Sequence, residues 1–263
     1  WNMQQNLKDK RIKYIIGDVK DFESIKKACN DIDFVVHAAA TKIVPTAEYN
    51  PLECVKTNIN GAINVIEASK INKVKKVIAL STDKACNPIN LYGASKFTSD
   101  KLFIAANNYE KNNSSSTLFS VVRYGNVMGS RGSVIPFFYN LKNKTLIPVT
   151  DKKMTRFMIS LDECVDLVWT SFNQMIGGEI FIKKIPSIKI VDLVKAISND
   201  AKIKIIGIRP GEKIHEIMIT EDDSINTLEL KDKYIILPSI NELKSKIKSK
   251  YKKSATGNTS SIF

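Results

Sequence analysis

The sequence lacks several features that would have fixed its class at once. No Gly-x-x-Gly-x-x-Gly run occurs in its 263 residues, so no phosphate cradle at a strand-turn-helix junction can be read from a motif. No apolar run approaches the ~20 residues that a membrane-spanning helix needs, and no secretory signal opens the chain as given, so a cytoplasmic protein without membrane contact is expected. The four cysteines, Cys29, Cys54, Cys86 and Cys164, are scattered without metal-ligand spacing, which argues for reduced thiols and against a metal site. There is no arginine cluster and no interleaved aromatic platform, so the net charge of +13 is not the footprint of a nucleic-acid binder. Residues 241–263 alone hold six lysines and one glutamate, and the remaining lysines are spread along the chain, where they favour phosphate-bearing partners in general. Internal repeats are absent too.

What is present suits a globular α/β protein. Hydrophobic residues make up 43% and charged residues 25%, enough for one large domain or a domain with a smaller lobe. The chain is organised around Ser81-Thr82-Asp83-Lys84 and the Tyr92-Gly93-Ala94-Ser95-Lys96 that follows. Lys76–Leu80 before it is an apolar, β-rich run that reads as a buried parallel strand. Tyr92 and Lys96 are four apart at the start of a helical pattern and so share a helix face. A tyrosine with its ordinary pKa of about 10 is a poor base at neutral pH, and a neighbouring ammonium favours the phenolate. That pair is therefore a proton-transfer group suited to oxidising an alcohol. Its place after a strand's carboxyl end is where ligands bind in open α/β sheets.

At these residues the sequence resembles the extended short-chain dehydrogenase/reductase superfamily, and within it the inverting UDP-N-acetylglucosamine 4,6-dehydratases of the PseB type. The resemblance also runs through His37-Ala-Ala-Ala40, Val44–Ile59, Val122–Pro136, Met154-Thr-Arg-Phe157 and Arg209-Pro-Gly-Glu-Lys213, and covers roughly residues 11 to 240. It implies a Rossmann-like doubly wound parallel sheet, with a partial dinucleotide-binding domain over residues 1–132. A smaller substrate lobe follows over 133–240, interleaved with the last elements of the nucleotide fold, and residues 241–263 are expected to be a mobile basic tail. Ile12–Ile16, ending at Gly17-Asp18-Val19, corresponds to the family's third strand, so about 45 to 50 residues carrying the first β-α-β part and its Gly-rich turn are expected to be missing. Such a fragment, expressed as written, is expected to be inactive and poorly stable.

Several residues gain candidate roles from the resemblance. Asp18 and Val19 are placed beside the adenine, although a helix-capping or turn aspartate would suffice there. Ala38 and Ala39 would let a cofactor approach the backbone, and alanines can equally reflect tight packing. Lys42 faces both cofactor and sugar nucleotide. His37, inside an apolar strand, is read as structural. Asn58 is a polar exception on the 51–71 helix, whose stripe Val55, Ile59, Ala62 and Ile66 is core-facing, and it is expected at the substrate. Arg131, between Gly129 and Gly132, joins Val127 as a cofactor contact. Asn126, Val134, Arg156, Arg209 and Glu212 join Thr82 as substrate contacts, the Pro-Gly turn serving as a diphosphate clamp or as an ordinary exposed turn. Ile190, Leu193, Val194 and Ile197 are core, and Lys111–Thr117 is a polar loop.

The implied reaction has no net redox change and uses NADP, with NAD as the other option. Tyr92, aided by Lys96, takes the proton of the hydroxyl at sugar carbon 4 during oxidation, and Thr82 hydrogen-bonds that oxygen. The ketone acidifies the proton at carbon 5; Lys84 removes it while Asp83 protonates the departing hydroxyl of carbon 6, and the hydride returns to carbon 6. Retaining dehydratases carry Asp-Glu where this chain has Asp83-Lys84; the bland reading of that pair is an exposed ion pair worth at most ~1 kcal/mol. The expected substrate is UDP-N-acetylglucosamine, the pathway pseudaminic acid-type synthesis for a flagellar or other glycan, and the assembly a homo-oligomer, dimer or hexamer. A nucleotide-sugar epimerase or ketoreductase would share Tyr92 and Lys96, and a non-catalytic remnant of the fold is the reading from another class.

Overall fold

The computed structural model describes residues 9–108, 116–239, 241–252, 254–255 and 257–258. The sheet is built from short β-branched runs. Strands β1 (Phe34–His37), β2 (Lys76–Thr82), β3 (Leu118–Tyr124) and, further along the chain, β7 (Ile180–Lys183) lie side by side and parallel. Registers Phe34↔Lys76 and Lys76↔Leu118 bring His37, Thr82 and Tyr124 towards one edge. Strands β10 (Thr227–Glu229), β11 (Lys233–Ile236) and β12 (Gly257–Asn258) continue the sheet antiparallel, in the order β1-β2-β3-β7-β11-β10-β12.

Strand residues alternate between two cores, as a period of two requires. Val77, Ala79 and Val121 face a core shared with helices α4 (Gly61–Ile71) and α5 (Leu91–Ala105), which contribute Val65, Ala68 and Phe103. Ile78, Val122 and Phe181 face the other core, filled by Leu167 and Phe172 of α7 (Leu161–Gln174) and Ile247 and Tyr251 of α10 (Asn241–Tyr251). Fully buried side chains such as Phe103, Phe119 and Phe181 each contribute about 1.5–3 kcal/mol of transfer free energy. A third core gathers Phe138 of α6 (Val134–Asn140), Ile147 and Val149 of β5 (Leu146–Val149), Met158 of β6 (Thr155–Ile159), and Ile190, Leu193 and Val194 of α8 (Ile190–Ile197), with Ile197 packed against it. The small sheets β4 (Asn126–Val127)-β6-β8 (Ser187–Lys189) and β5-β9 (Lys202–Ile205) belong to this lobe.

Four expectations change. Ile12–Ile16 forms no strand: among the described residues no sheet ladder includes it, and Ile12, Ile15 and Ile16 are exposed. Asp21, not Asp18, caps helix α1 (Phe22–Ala28), accepting from the Glu23 and Ser24 amides, while Asp18 is the turn aspartate of the alternative reading, accepting from the Lys20 amide at 2.9 Å. The 51–71 segment is α3 (Pro51–Val55), one π-helical turn at Lys56–Asn60, then α4. The wider turn moves the buried stripe before it to Cys54 and Asn58, leaving Val55 and Ile59 half-buried, while Ala62 and Ile66 of the expected stripe lie in the core beside Val65. Finally, residues 241–251 are not a mobile tail. Leu243, Ile247 and Tyr251 recur every four residues and dock α10 on the second core, and the Tyr251 hydroxyl donates to the Gln174 carbonyl at 2.8 Å. The polar loop residues 111–115 and the last residues, 259–263, lie outside the described residues.

Candidate active site

Strand β2 ends on Thr82, and the chain turns at once through a single 3₁₀ turn, Asp83–Ala85, with the Thr82 hydroxyl accepting from the Lys84 amide. Asn90 then caps α5, accepting from the Gly93 amide at 2.7 Å and donating to the Gly211 carbonyl at 2.7 Å. The start of this helix is thereby tied to the Arg209–Lys213 turn. A Cβ on Gly93 would lie 2.3 Å from the Lys84 carbonyl oxygen, so this glycine lets the helix press directly against the Asp83–Ala85 turn.

The side chains that result form one charged cluster. Asp83 is fully buried, and its Oδ1 accepts from the Thr82 hydroxyl at 3.0 Å and from Lys84 Nζ at 2.9 Å. Lys84 has a second carboxylate on its other flank, Glu216, at 3.6 Å. Burial lowers the Lys84 pKa, but Asp83, Glu216 and Tyr92 outweigh it, and the lysine is held above its ordinary value as an ammonium. Tyr92 is buried; that desolvation raises its pKa, while the charge of Lys84 and a hydrogen bond with Thr82 oppose the rise. The cation acting on the tyrosine is thus Lys84 rather than the expected Lys96, and the net direction is upward. Lys96 is pushed down by burial, and Asp100 pulls it back.

Beneath the cluster, Asp100 accepts from Ser81 at 2.7 Å and from Arg123 at 3.3 Å, and Arg123 donates to Cys86 Sγ and the Met218 carbonyl, both at 3.0 Å. His37 sits behind Lys96, its pKa brought to about 3 by burial and by the lysine charge.

A cleft of about 610 Å³ opens over the carboxyl ends of the parallel strands. Of the residues singled out above, Ala38, Lys42, Thr82, Lys84, Tyr92, Lys96, Asn126, Val127, Arg131, Val134, Arg156, Arg209 and Glu212 line it. Asp18, Val19, Ala39, Asn58 and Asp83 do not. Val19 is buried against Gly61, where an added Cβ would come within 2.8 Å of its Cγ1, and Asp18 pairs with Lys20. Asn58 is only 1% exposed, donating to the Thr41 carbonyl at 3.0 Å and Ser95 Oγ at 2.9 Å and accepting from the Thr41 amide at 2.8 Å. It clamps the loop that presents Lys42 rather than facing the cleft. Asp83 lies behind Thr82 and Lys84. Arg156 lines the cleft, yet its guanidinium is used on the carbonyls of Thr155, Lys213 and Ile214. Arg209 is exposed and paired with Glu212.

Sequence reasoning missed Glu216. It stands beyond the Arg209–Lys213 turn in a stretch without regular periodicity, and only the fold brings it to Lys84. Among the described residues there is no cluster of three His, Cys, Asp or Glu side chains placed to hold a metal, and no helix is long and apolar enough to cross a membrane.

The donor set fits a dinucleotide. Small residues at the end of β1, Tyr92 and Lys96 on one helix face, and a rim of Lys42, Arg131 and Arg209 offer a close backbone, hydroxyl partners and positive charge for phosphates. Lys96 makes no side-chain hydrogen bond or ion pair among the described residues.

A model of the family described as "Polysaccharide biosynthesis protein" matches residues 1–238. An inverting UDP-N-acetylglucosamine 4,6-dehydratase of Campylobacter jejuni is 60% identical over 231 residues, covering 87% of this chain and 69% of that relative. A protein named UDP-glucose 4-epimerase from Rickettsia bellii is 45% identical over 240 residues, covering 89% of this chain and 70% of the relative. Among solved structures, Pen from Bacillus thuringiensis superposes with a TM-score of 0.86 at 43% identity, covering 90% of this chain and 77% of that one.

Proposed function

The chain belongs to the polysaccharide biosynthesis protein family, and from that premise we propose that it is a UDP-N-acetylglucosamine 4,6-dehydratase that inverts carbon 5. The observation that carries this reading is that Thr82, Lys84 and Tyr92 line one cleft with Asp83 hydrogen-bonded behind them, in a chain 60% identical to an enzyme of that name. The sugar substrate is a nucleotide sugar and the cofactor a nicotinamide dinucleotide, NADP being the finer proposal. When bound, its nicotinamide stores the hydride taken from carbon 4 and returns it to carbon 6. Tyr92, Lys96, Ala38, Val127 and Arg131 are the residues proposed to hold it, and Lys42, Asn126, Val134, Arg156, Arg209 and Glu212 those proposed around the nucleotide sugar. Residues 1–132 are proposed as a partial dinucleotide-binding domain and 133–240 as the substrate lobe interleaved with the last elements of the nucleotide fold. A cytoplasmic homo-oligomer, dimer or hexamer, is part of the same reading.

For the oxidation Tyr92 has to enter as the phenolate, the form that the Lys84 charge and the Thr82 hydrogen bond favour against burial; it then accepts the proton of the carbon 4 hydroxyl while Thr82 holds that oxygen. For the elimination, the resting state places the shared proton on Lys84. Passing it along the 2.9 Å hydrogen bond to Asp83 gives a free amine and a neutral acid together. The amine takes the carbon 5 proton. Asp83 is fully buried, so its proton reaches the departing carbon 6 oxygen through the Thr82 hydroxyl, 3.0 Å away. Water leaves, Lys84 is an ammonium again and Asp83 a carboxylate; as the hydride returns to carbon 6, carbon 5 takes a proton on its opposite face, which balances the one Tyr92 received from the carbon 4 hydroxyl.

The test uses the enzyme at its full natural length, incubated with UDP-N-acetylglucosamine and NADP in deuterated water and followed by NMR. The expected product is a 6-deoxy-4-keto sugar with inverted, deuterated carbon 5. Retained configuration removes Lys84 as the inverting base. A sugar epimerised at carbon 4, with carbon 6 still hydroxylated, would replace the proposal by the epimerase reading.

A further inference from the structure

Two carboxylates flank one ammonium at the edge of the cleft, and only one of them adjoins it in sequence. Lys84 Nζ lies 2.9 Å from Asp83 Oδ1 and 3.6 Å from Glu216 Oε1. Glu216 comes from the segment after β9, 132 residues away along the chain, is 7% exposed, and lines the cleft. Its Oε2 accepts no hydrogen bond among the described residues and lies 3.8 Å from Lys213 Nζ, which is itself anchored by donating to the Cys86 carbonyl at 2.6 Å. A buried carboxylate without a hydrogen bond is costly unless a charge compensates it, and the compensating charges here are Lys84 and Lys213.

We infer that Glu216 is a positioning residue for the elimination: it fixes the Lys84 ammonium between its own carboxylate and that of Asp83, facing the substrate cleft. The inference deepens the dehydratase reading and rests on it. With Asp83 alone, the lysine would follow the 3₁₀ turn and could swing about its own stem. With Glu216 opposite, its head is held from both sides by the main fold and the distal segment. The charged and titratable groups facing Lys84 are Asp83 on its own turn, Tyr92 on α5 and Glu216; Lys213 faces Glu216 from behind. The two carboxylates and the tyrosine all favour the protonated lysine, in keeping with the raised direction of its titration.

Removing the Glu216 charge therefore lowers the Lys84 titration, whichever form of the lysine is active. The experiment follows ¹³C-labelled lysine by NMR in the full-length enzyme, with the Lys84 resonance assigned through Lys84→Arg. Glu216→Gln is expected to lower the Lys84 midpoint by about one pH unit or more, and Glu216→Asp to restore most of it. The limb of the kcat profile that reports Lys84 should move to lower pH by the same amount. At neutral pH kcat should fall about tenfold or more while KM for the nucleotide sugar changes less than about twofold. A Lys84 midpoint unchanged in both variants overturns the inference, as does loss of activity through KM alone. Because the titration reads Lys84 directly, it decides the question even where no keto sugar is formed, which separates its failure from failure of the dehydratase reading.

Discussion

Replacing Asn58 by alanine separates a loop clamp from a substrate contact. The Asn58 amide makes four hydrogen bonds, two with the backbone of Thr41, one to Ser95 Oγ and a weaker one to Cys54 Sγ at 3.5 Å, and it is 1% exposed. Alanine deletes all of them and leaves the Thr41 amide and carbonyl and the Ser95 hydroxyl without that partner. Each such bond is worth about 0.5–1.5 kcal/mol net, and a group stranded away from water costs about 1–3 kcal/mol. Thr41 is only half-buried, so water recovers part of the loss, and Ser95 keeps its 2.8 Å bond to the Tyr92 carbonyl. The sum is about 2–4 kcal/mol. Urea unfolding should show it as a shifted midpoint with an unchanged slope. The loop carrying Lys42 is released as well, so KM for the nucleotide sugar should rise. A stability change below about 0.5 kcal/mol, with KM raised, would refute the reasoning and make Asn58 a direct substrate contact.

Three further outcomes follow from packing and charge. Gly93→Ala places a Cβ 2.3 Å from the Lys84 carbonyl oxygen and 3.1 Å from Pro88 Cβ; the helix must lift from the Asp83–Ala85 turn, costing about 1–3 kcal/mol and lowering kcat more than it changes KM, as steady-state kinetics and thermal unfolding would register. Asp100→Asn leaves the Arg123 guanidinium, at 2% exposure, facing a neutral amide, and should destabilise by about 3–5 kcal/mol in denaturant unfolding. His37 titrates at about 3 in the folded protein against an ordinary value of 6.5. Its depressed pKa means that the unfolded chain binds the proton first, so its contribution is whole above about pH 6.5 and is lost as pH falls towards 3, with a slope of up to about 1.4 kcal/mol per pH unit. His37→Gln should flatten that part of the stability profile, and identical slopes in the two proteins would refute it.

Local chemistry made much of the site legible. Tyr92 and Lys96 share a helix face because four residues make about one turn, and Thr82-Asp83-Lys84 falls at a strand end because the β-branched run before it stops there. The Lys42 loop, the Gly129–Gly132 loop and the Arg209–Lys213 turn all reach the same cleft. The failures share a cause. The first half of the expected 51–71 stripe, Val55 and Ile59, slipped because a π-helical turn is set by packing and leaves no mark in apolar spacing, while Ala62 and Ile66 beyond it are core as expected. The lysines of 241–251 masked an apolar repeat of three residues that only a neighbouring sheet makes worth burying. Ile12–Ile16 has strand composition, but a strand exists only where another pairs with it.

Sequence by itself determined which groups stand next to one another along the backbone: the strand, the turn carrying Asp83 and Lys84, and the helix face carrying Tyr92 and Lys96. Tertiary structure decided their charge states. Burial raised Tyr92 and lowered Lys96, and the neighbouring Asp83 together with the distant Glu216 held Lys84 as an ammonium. A side chain's type is local, but the solvent it loses and the charges it meets depend on residues such as Glu216, which folding alone brings within 3.6 Å.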